Sequence, residues 1–224
     1  MRNLVPVVPT LACIFLAVGC ATTRGVIDVP ATVTLNPPSG PAVRIDRVTD
    51  RRVFEIDPRQ ANIPSLMNDS EVNDAKITSR AIARKRGGFG KALGDILLPE
   101  GRTVMQVVQE ALTWSLREAG YRVVSKQDPE AAAAIPLEAD IDQFWAWFRP
   151  GFAEVAVEFE SSVRLTSPSL AALQTSGPVK GTSRVTGAVV TSGVWERTIA
   201  RGVDDLARNA RERLRAVKPA ASAR

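Results

Sequence analysis

Apolar and polar residues alternate along several stretches of the chain, as they do in β-strands with one buried face. The most regular stretches are 43–48, 135–148, 155–165 and 179–186. The turn Pro150-Gly151 joins the second of these to the third, so we predict a long antiparallel hairpin there. A shorter hairpin is predicted within 77–98, around the glycine-rich turn at 87–90.

Two other stretches repeat their apolar residues every three to four positions, which indicates amphipathic helices. The first begins at Thr103, where Gln106 completes a capping-box sequence, and ends at Gly120. The second is capped by Ser192 and runs toward Leu214. An alternating sheet needs cover on its apolar face. We therefore predict an α+β fold, an antiparallel β-sheet with two amphipathic helices packed on one face (a two-layer sandwich).

The start of the chain has the pattern of an export signal, with Arg2, a short apolar stretch and small residues before Cys20. The apolar stretch is too short, and too interrupted by proline, for a membrane span. The segment 16–21, Leu-Ala-Val-Gly-Cys-Ala, resembles the lipobox of bacterial lipoproteins, in which the cysteine receives a diacylglyceryl group and becomes residue one. The resemblance implies lipidation of Cys20, with the lipid bilayer as its partner. The alternative is an ordinary cleaved signal that leaves Cys20 as a free thiol.

Ala21 stands directly after the cysteine, and in diderm bacteria this resembles a lipoprotein that leaves the inner membrane for the outer one. We therefore expect a protein anchored in the cell outer membrane and facing the periplasm. We predict four segments: a removed signal peptide at 1–19, a lipidated N-terminus and extended tether at 20–40, a single α+β domain at 41–217 and a disordered tail at 218–224. A domain of that length buries enough surface to need no disulfide or metal.

Composition narrows the chemistry that the chain can perform. It contains no histidine and 2 cysteines, which excludes a Ser-His-Asp triad, a Cys-His pair and a histidine-ligated zinc site within this chain. We expect no catalytic, cofactor or metal site, and hence a protein that is not an enzyme. The net charge of +5 comes from scattered arginines, so we also expect no nucleic-acid partner.

Carboxylate chemistry and Ser-Lys chemistry are the catalytic alternatives that these counts leave open, and the sequence offers candidates for the first. Two predicted strands carry carboxylates on one face, and a pair of carboxylates can perform acid–base work in a cell-wall hydrolase. Their regular alternation with apolar residues is also typical of a solvent-exposed sheet face. The residues are Glu138, Asp140 and Asp142 on one strand and Glu154, Glu158 and Glu160 on the other.

Two clusters are candidates for a contact patch. Arg84, Lys85 and Arg86 precede the glycine turn and are predicted to form a basic hairpin tip, either touching lipid, lipopolysaccharide or a partner or simply solvated. The glycine spacing around this turn does not fit a phosphate-binding loop of the nucleotide-binding type. Trp145 and Trp147 alternate onto one strand face. They form either an exposed patch or ordinary core, and without a bulge they share the face of the preceding apolar residues, which favours core.

The segment 116–123, Leu-Arg-Glu-Ala-Gly-Tyr-Arg-Val, ends the first predicted helix. Together with the lipobox, the tether rich in threonine and valine and the late strand and helix, it makes the chain resemble the YajG family of uncharacterised bacterial lipoproteins. The resemblance covers most of the mature chain and carries over one functional residue, Cys20. It implies an outer-membrane lipoprotein. We predict a non-enzymatic binding or assembly module of the envelope, whose partner is an envelope protein, with a cell-wall hydrolase as the alternative.

Overall fold

The computed structural model describes residues 24–30, 40–87, 91–151 and 154–219, and Cys20 lies outside the described residues, with the signal peptide. The strands are β1 (Gly25–Val26), β2 (Ala42–Asp50), β3 (Glu55–Ile56), β4 (Ser65–Leu66), β5 (Ala81–Arg86), β6 (Ala92–Leu97), β7 (Arg122–Val123), β8 (Ile135–Pro150), β9 (Val155–Thr166) and β10 (Val179–Gly187). The helices are α1 (Asp69–Val72), α2 (Ala75–Thr78), α3 (Val104–Glu118), α4 (Ala171–Thr175) and α5 (Ser192–Ala216).

The main sheet is organised around the long strand β8. On one edge β9 pairs with it antiparallel from Glu138 to Pro150, which confirms the predicted long hairpin, and β10 continues the sheet beyond β9. The other edge of β8 is shared by two strands that both run parallel to it. β2 pairs with its first half and β5 with its second half. β6 pairs antiparallel with β5, which confirms the shorter hairpin, while β1 lies beside β6 and β7 beside β2.

The prediction of a wholly antiparallel sheet is wrong, because four of the seven strand pairings in the main sheet are parallel. Tight hairpins make antiparallel neighbours, and these are visible in sequence. The parallel pair of β2 and β8 forms across a long connection that contains α3, as parallel pairs require. The coarser expectation of a mixed fold of helices and sheet is confirmed, with three short helices in addition to α3 and α5.

The two long helices pack against each other and against one face of the sheet. Thr103 and Gln106 form the predicted capping box at the start of α3, and Gly120 adopts a φ of +86° just after its end. The cap of α5 is Thr191 rather than Ser192, without a side-chain hydrogen bond. The buried surfaces of both helices join the inward residues of β8 and β9 in one core, which includes Leu137, Phe144, Phe159 and Leu206.

Part of the predicted tether belongs to the folded domain. Gly25 and Val26 form an edge strand beside β6, and Ile27 and Val29 are buried in the main core. Arg24 pairs with the buried carboxylate of Asp95 on β6, at 2.8 Å between Nε and Oδ1. The prediction of a tether is wrong for this part, because β1 pairs with β6 and the apolar side chains of Ile27 and Val29 are buried. Residues 20–23 and 31–39 of the predicted tether, and 220–224 of the predicted tail, lie outside the described part of the chain.

A β-bulge in β8, between Ile141 and Gln143, changes which residues face the helices. Before it, Leu137 and Ile141 point into the main core. After it, Phe144 takes that direction, so Trp145 turns to the opposite face. Because side chains alternate along a strand, one extra residue reverses every assignment that follows it.

Candidate functional site

Trp145 and Trp147 lie in a second, smaller core on the face of the sheet away from the long helices. Trp145 is fully buried and Trp147 is 8% exposed, beside Leu66, and the Phe54 ring stands edge-on to Trp145 at 5.9 Å between centroids. The chain between β2 and β5 supplies this cover. The exposed aromatic patch is therefore not formed, and the alternative interpretation of ordinary packing beneath a loop is confirmed.

Arg52 attaches this covering segment to the sheet at the point where β2 ends and β5 begins. All five of its N–H groups are used. Nε and Nη2 donate to the Asp50 carboxylate at 2.8 and 2.6 Å. The remaining bonds go to backbone carbonyls of Ala81, Phe144 and Thr78, at 2.6–3.2 Å. Ala81 belongs to β5, Phe144 to β8 and Thr78 to α2, so the guanidinium connects two strands and a short helix.

Arg84 lies on the same face and is buried in a different way. In the sheet register it stands between Asp95 on β6 and Trp147 on β8, and it is 4% exposed. Its Nη2 lies 2.9 Å from the Met67 sulfur, while Nε and Nη1 have no hydrogen-bond partner among the described residues. Burial lowers the pKa of the Arg84 guanidinium, although an arginine remains charged in proteins. Asp95, across the ladder, is already engaged by Arg24.

Arg84 lines a pocket of about 610 Å³ beside the β5–β6 hairpin. Four positively charged side chains and one carboxylate line it. The carboxylate of Asp57 lies 3.8 Å from Nη1 of Arg86, and within the described residues Arg59 and Lys91 make no ion pair. The full lining is Asp57, Pro58, Arg59, Met67, Arg84, Arg86, Lys91 and Ala92. We call this cavity the basic pocket.

The structure divides the predicted basic hairpin tip between two faces. Arg84 and Arg86 reach the basic pocket, but Lys85 points the other way, with its ammonium beside Gly25. Arg84 is therefore an interior residue, which corrects its prediction as part of an exposed tip. Sequence reasoning did not single out Asp57 and Arg59, which come from a turn between β3 and β4. The Asp-Pro-Arg order was the available signal, since it marks a polar turn.

Asp57 adopts a left-handed backbone conformation with a φ of +50° at the rim of this pocket. Aspartate tolerates this region better than most residues but still departs from its preferred conformation. Such conformations are concentrated at functional sites, where the surrounding structure holds them. The turn thereby places the Asp57 carboxylate beside Arg86. Among the described residues that line the pocket, Asp57 is the only acidic one.

The six strand carboxylates lie on the face of the sheet away from the long helices, and each forms an ion pair. Nitrogen–oxygen distances are 2.7–3.9 Å. The pairs are Glu138 with Arg47, Asp140 with Arg51, Asp142 with Arg164, Glu154 with Arg184, Glu158 with Arg149 and Arg184, and Glu160 with Lys180. This arrangement is that of a charged sheet face, where basic and acidic residues oppose each other across strands.

In the part of the chain that the structure describes, no three histidine, cysteine or acidic side chains are grouped to hold a metal ion. None of the described helices has the length and apolar character needed to cross a bilayer.

Comparisons with known proteins give only distant structural similarity. No protein-family model matches the chain, and no curated protein matches it. Among solved structures, protein XCC0632 from Xanthomonas campestris, of family DUF330, is similar with 12% identity and a TM-score of 0.42, over 87% of this chain and 96% of that one. A second, an uncharacterized protein, has 11% identity and a TM-score of 0.36 over 85% and 98%. These values do not assign a family, so the YajG resemblance stays a prediction.

Proposed function

We propose that the protein is a lipid-anchored, periplasm-facing binding or accessory module of the bacterial outer membrane, without enzymatic activity of its own. The observation that carries the proposal is the lipobox-like segment ending at Cys20, directly ahead of a folded domain. Arg24, which is ion-paired to Asp95, is separated from Cys20 by residues 21–23 alone. An acylated Cys20 would therefore hold the domain within about 14 Å of its lipid, the reach of four extended residues.

The ion pairs of the sheet carboxylates support a binding role over the hydrolase alternative. A glycosidase needs one carboxyl group held protonated and a second one free to act on the sugar or on water. Here all six candidates are ion-paired with arginine or lysine, so none of them is left free for such a role. A structural role on a solvated face accounts for them without catalysis.

The proposal is tested by metabolic labelling with radioactive palmitate and by fractionation of the envelope. The wild-type chain should take up label and sediment with outer membranes, while Cys20→Ser should take up none. Cys13→Ser is the matched control, since Cys13 is the chain's other cysteine and lies within the signal. It should be labelled like wild type. Label on the Cys20→Ser chain would refute lipidation at Cys20, and crosslinking of the labelled protein in envelopes would identify the partner.

A further inference from the structure

We propose that the basic pocket binds a phosphate-bearing ligand, with Arg84 as the donor at its inner end. The site lies on the opposite side of the sheet from the long helices, between the β5–β6 hairpin and the turn after β3. An incompletely paired buried arginine, an excess of positive charge and closeness to the start of the folded chain distinguish this pocket.

Arg52 and Arg84 are both buried on this face of the sheet, but their hydrogen bonding differs. Arg52 uses all five N–H groups on protein acceptors. Among the described residues, Nε and Nη1 of Arg84 have no acceptor, and only 4% of Arg84 is exposed. A buried charge without partners is costly, and proteins rarely keep one. An oxyanion in the basic pocket would supply the missing acceptors and the missing negative charge.

The charge of the lining indicates the charge of the ligand. Four cationic side chains against one carboxylate leave an excess of three positive charges around the pocket. A phosphate group carries between one and two negative charges at neutral pH and offers several acceptor oxygens, so it suits this excess better than a single carboxylate does. The cavity of about 610 Å³ is of the size that accepts a small organic molecule, so it leaves room for the group that bears the phosphate.

The proposed lipid anchor, on which this part of the proposal rests, indicates a source of the phosphate. Asp95, the ladder partner of Arg84, is held by Arg24, and Arg24 is four residues after Cys20. An acylated Cys20 would thus keep the basic pocket close to the headgroups of the membrane. A lipid headgroup and free phosphate share the same chemistry, and the experiment separates them.

The experiment is calorimetric titration of the purified full-length lipidated protein in a non-ionic detergent. The probes are inorganic phosphate and glycerophosphoglycerol, a soluble phosphodiester headgroup, with glycerol and equal ionic strength of chloride as blanks. Binding of both probes, or of either alone, supports the site. The diester alone indicates a lipid headgroup, and inorganic phosphate alone indicates the free ion. Absence of heat from both probes overturns the proposal. Binding of a soluble probe does not require a lipid on Cys20, so a negative result here is distinct from a failure of lipidation.

Variants locate the binding within the protein. Arg84→Met should weaken binding at least about tenfold, since it removes charge-assisted hydrogen bonds. Asp57→Asn should strengthen binding, because it removes the one opposing charge and asparagine also tolerates a positive φ. Arg164→Gln, which removes a positive charge from the exposed sheet face, should leave the affinity unchanged. Equal weakening by Arg84→Met and Arg164→Gln would show a general charge effect and overturn the site.

A stability measurement separates a ligand-binding Arg84 from a structural one. Arg52→Met should lower the thermal midpoint strongly, because it leaves the Asp50 carboxylate and three carbonyl groups unpaired. Arg84→Met, the same exchange on the same face, should leave the midpoint unchanged or raise it. If Arg84→Met lowered the thermal midpoint as much as Arg52→Met does, the proposal would be overturned. Should either chain fail to fold, the exposed pair Arg59→Gln and Lys91→Gln tests the binding.

Discussion

The two buried arginines, Arg52 and Arg84, differ in the hydrogen-bond acceptors that surround them. Arg52 and Arg84 have the same side chain and lie on the same face of the sheet, but within the described part of the chain only Arg52 has an acceptor for every N–H. The difference arises because Arg52 lies just after β2, within hydrogen-bonding reach of carbonyl groups of α2, β5 and β8. Arg84 is inside a continuous part of the sheet, where the backbone groups around it already pair.

Tyr121 gives a pH-dependent prediction at the residue scale. Its hydroxyl donates to the Leu214 carbonyl at 3.1 Å, and burial raises its pKa from 10.0 to about 12. Below pH 10 the tyrosine is protonated in both folded and unfolded chains. Between pH 10 and 12 only the unfolded chain releases the proton, so stability should fall with rising pH by on the order of 2–3 kcal/mol.

The matched variant for this effect is Tyr121→Phe, which loses the hydrogen bond but cannot ionise. At pH 8 it should be less stable than wild type by about 1 kcal/mol. As the pH rises toward 11, the difference in the free energy of unfolding should shrink and then reverse. At that pH, keeping the buried Tyr121 hydroxyl protonated costs free energy in wild type, and the variant has no such group. Urea unfolding midpoints at each pH measure this. Parallel curves for the two proteins would contradict the raised pKa of Tyr121.

Part of the basic pocket could be predicted from the sequence. The sequence indicated Arg84 and Arg86, since a run of basic residues before a glycine turn is visible without a structure. It did not indicate that the pocket also includes Asp57 and Arg59, because their approach to β5 depends on the two-stranded sheet of β3 and β4. Two-residue strands carry no periodic pattern, so the contact between these loops has no local signature.

Among the elements, α5 depends on a close approach to the sheet that only glycine permits. A Cβ on Gly202 would overlap the ring of Phe159 on β9, and one on Gly181 of β10 would overlap the Gly202 carbonyl. The two glycines therefore let the helix backbone rest directly on two strands. This approach brings Phe159 and Leu206 into the same core.

Alanine substitutions at two positions of α5 test this approach. Gly202→Ala should destabilise the protein by about 1–3 kcal/mol, because the new methyl group must displace the Phe159 ring. Gly193→Ala is the matched control in the first turn of the same helix, where the nearest atom to a new Cβ is an Arg197 nitrogen at 3.6 Å. It should be neutral or stabilising by up to about 1 kcal/mol. The free energy of unfolding is measured with urea, and equal changes for Gly202→Ala and Gly193→Ala would contradict a close contact at Gly202.

Element prediction succeeded where the pattern was local and failed where distant segments meet. The β8–β9 and β5–β6 hairpins and the capping box of α3 were all predicted, since each is determined by neighbouring residues. The parallel pairing of β2 with β8 was not, because alternation is the same in parallel and antiparallel strands that have one buried face. The bulge after Ile141 was also missed, and it alone reversed the side to which the tryptophans turn.

The start of the folded chain pairs with β6, and the hairpin of β6 with β5 borders the basic pocket, so both lie toward one edge of the sheet. β1 and β6 form one edge, and β10 forms an edge four strands from β6. At about 4.8 Å between strands, β6 and β10 are separated by roughly 19 Å. A domain anchored through Cys20 should therefore present β6 to the membrane more closely than β10.

Site-specific fluorescence in vesicles measures this orientation. After signal removal the only remaining cysteine would be the acylated Cys20, so a new cysteine can be labelled alone. Leu93→Cys on β6 and Thr182→Cys on β10 are both exposed strand positions outside the lining of the basic pocket. A quencher attached to lipid headgroups should quench the label at 93 more strongly. A flexible insertion after Ala21 should reduce that difference, because it lengthens the reach of the anchor. Equal quenching at both positions without the insertion would show that the anchor does not orient the domain.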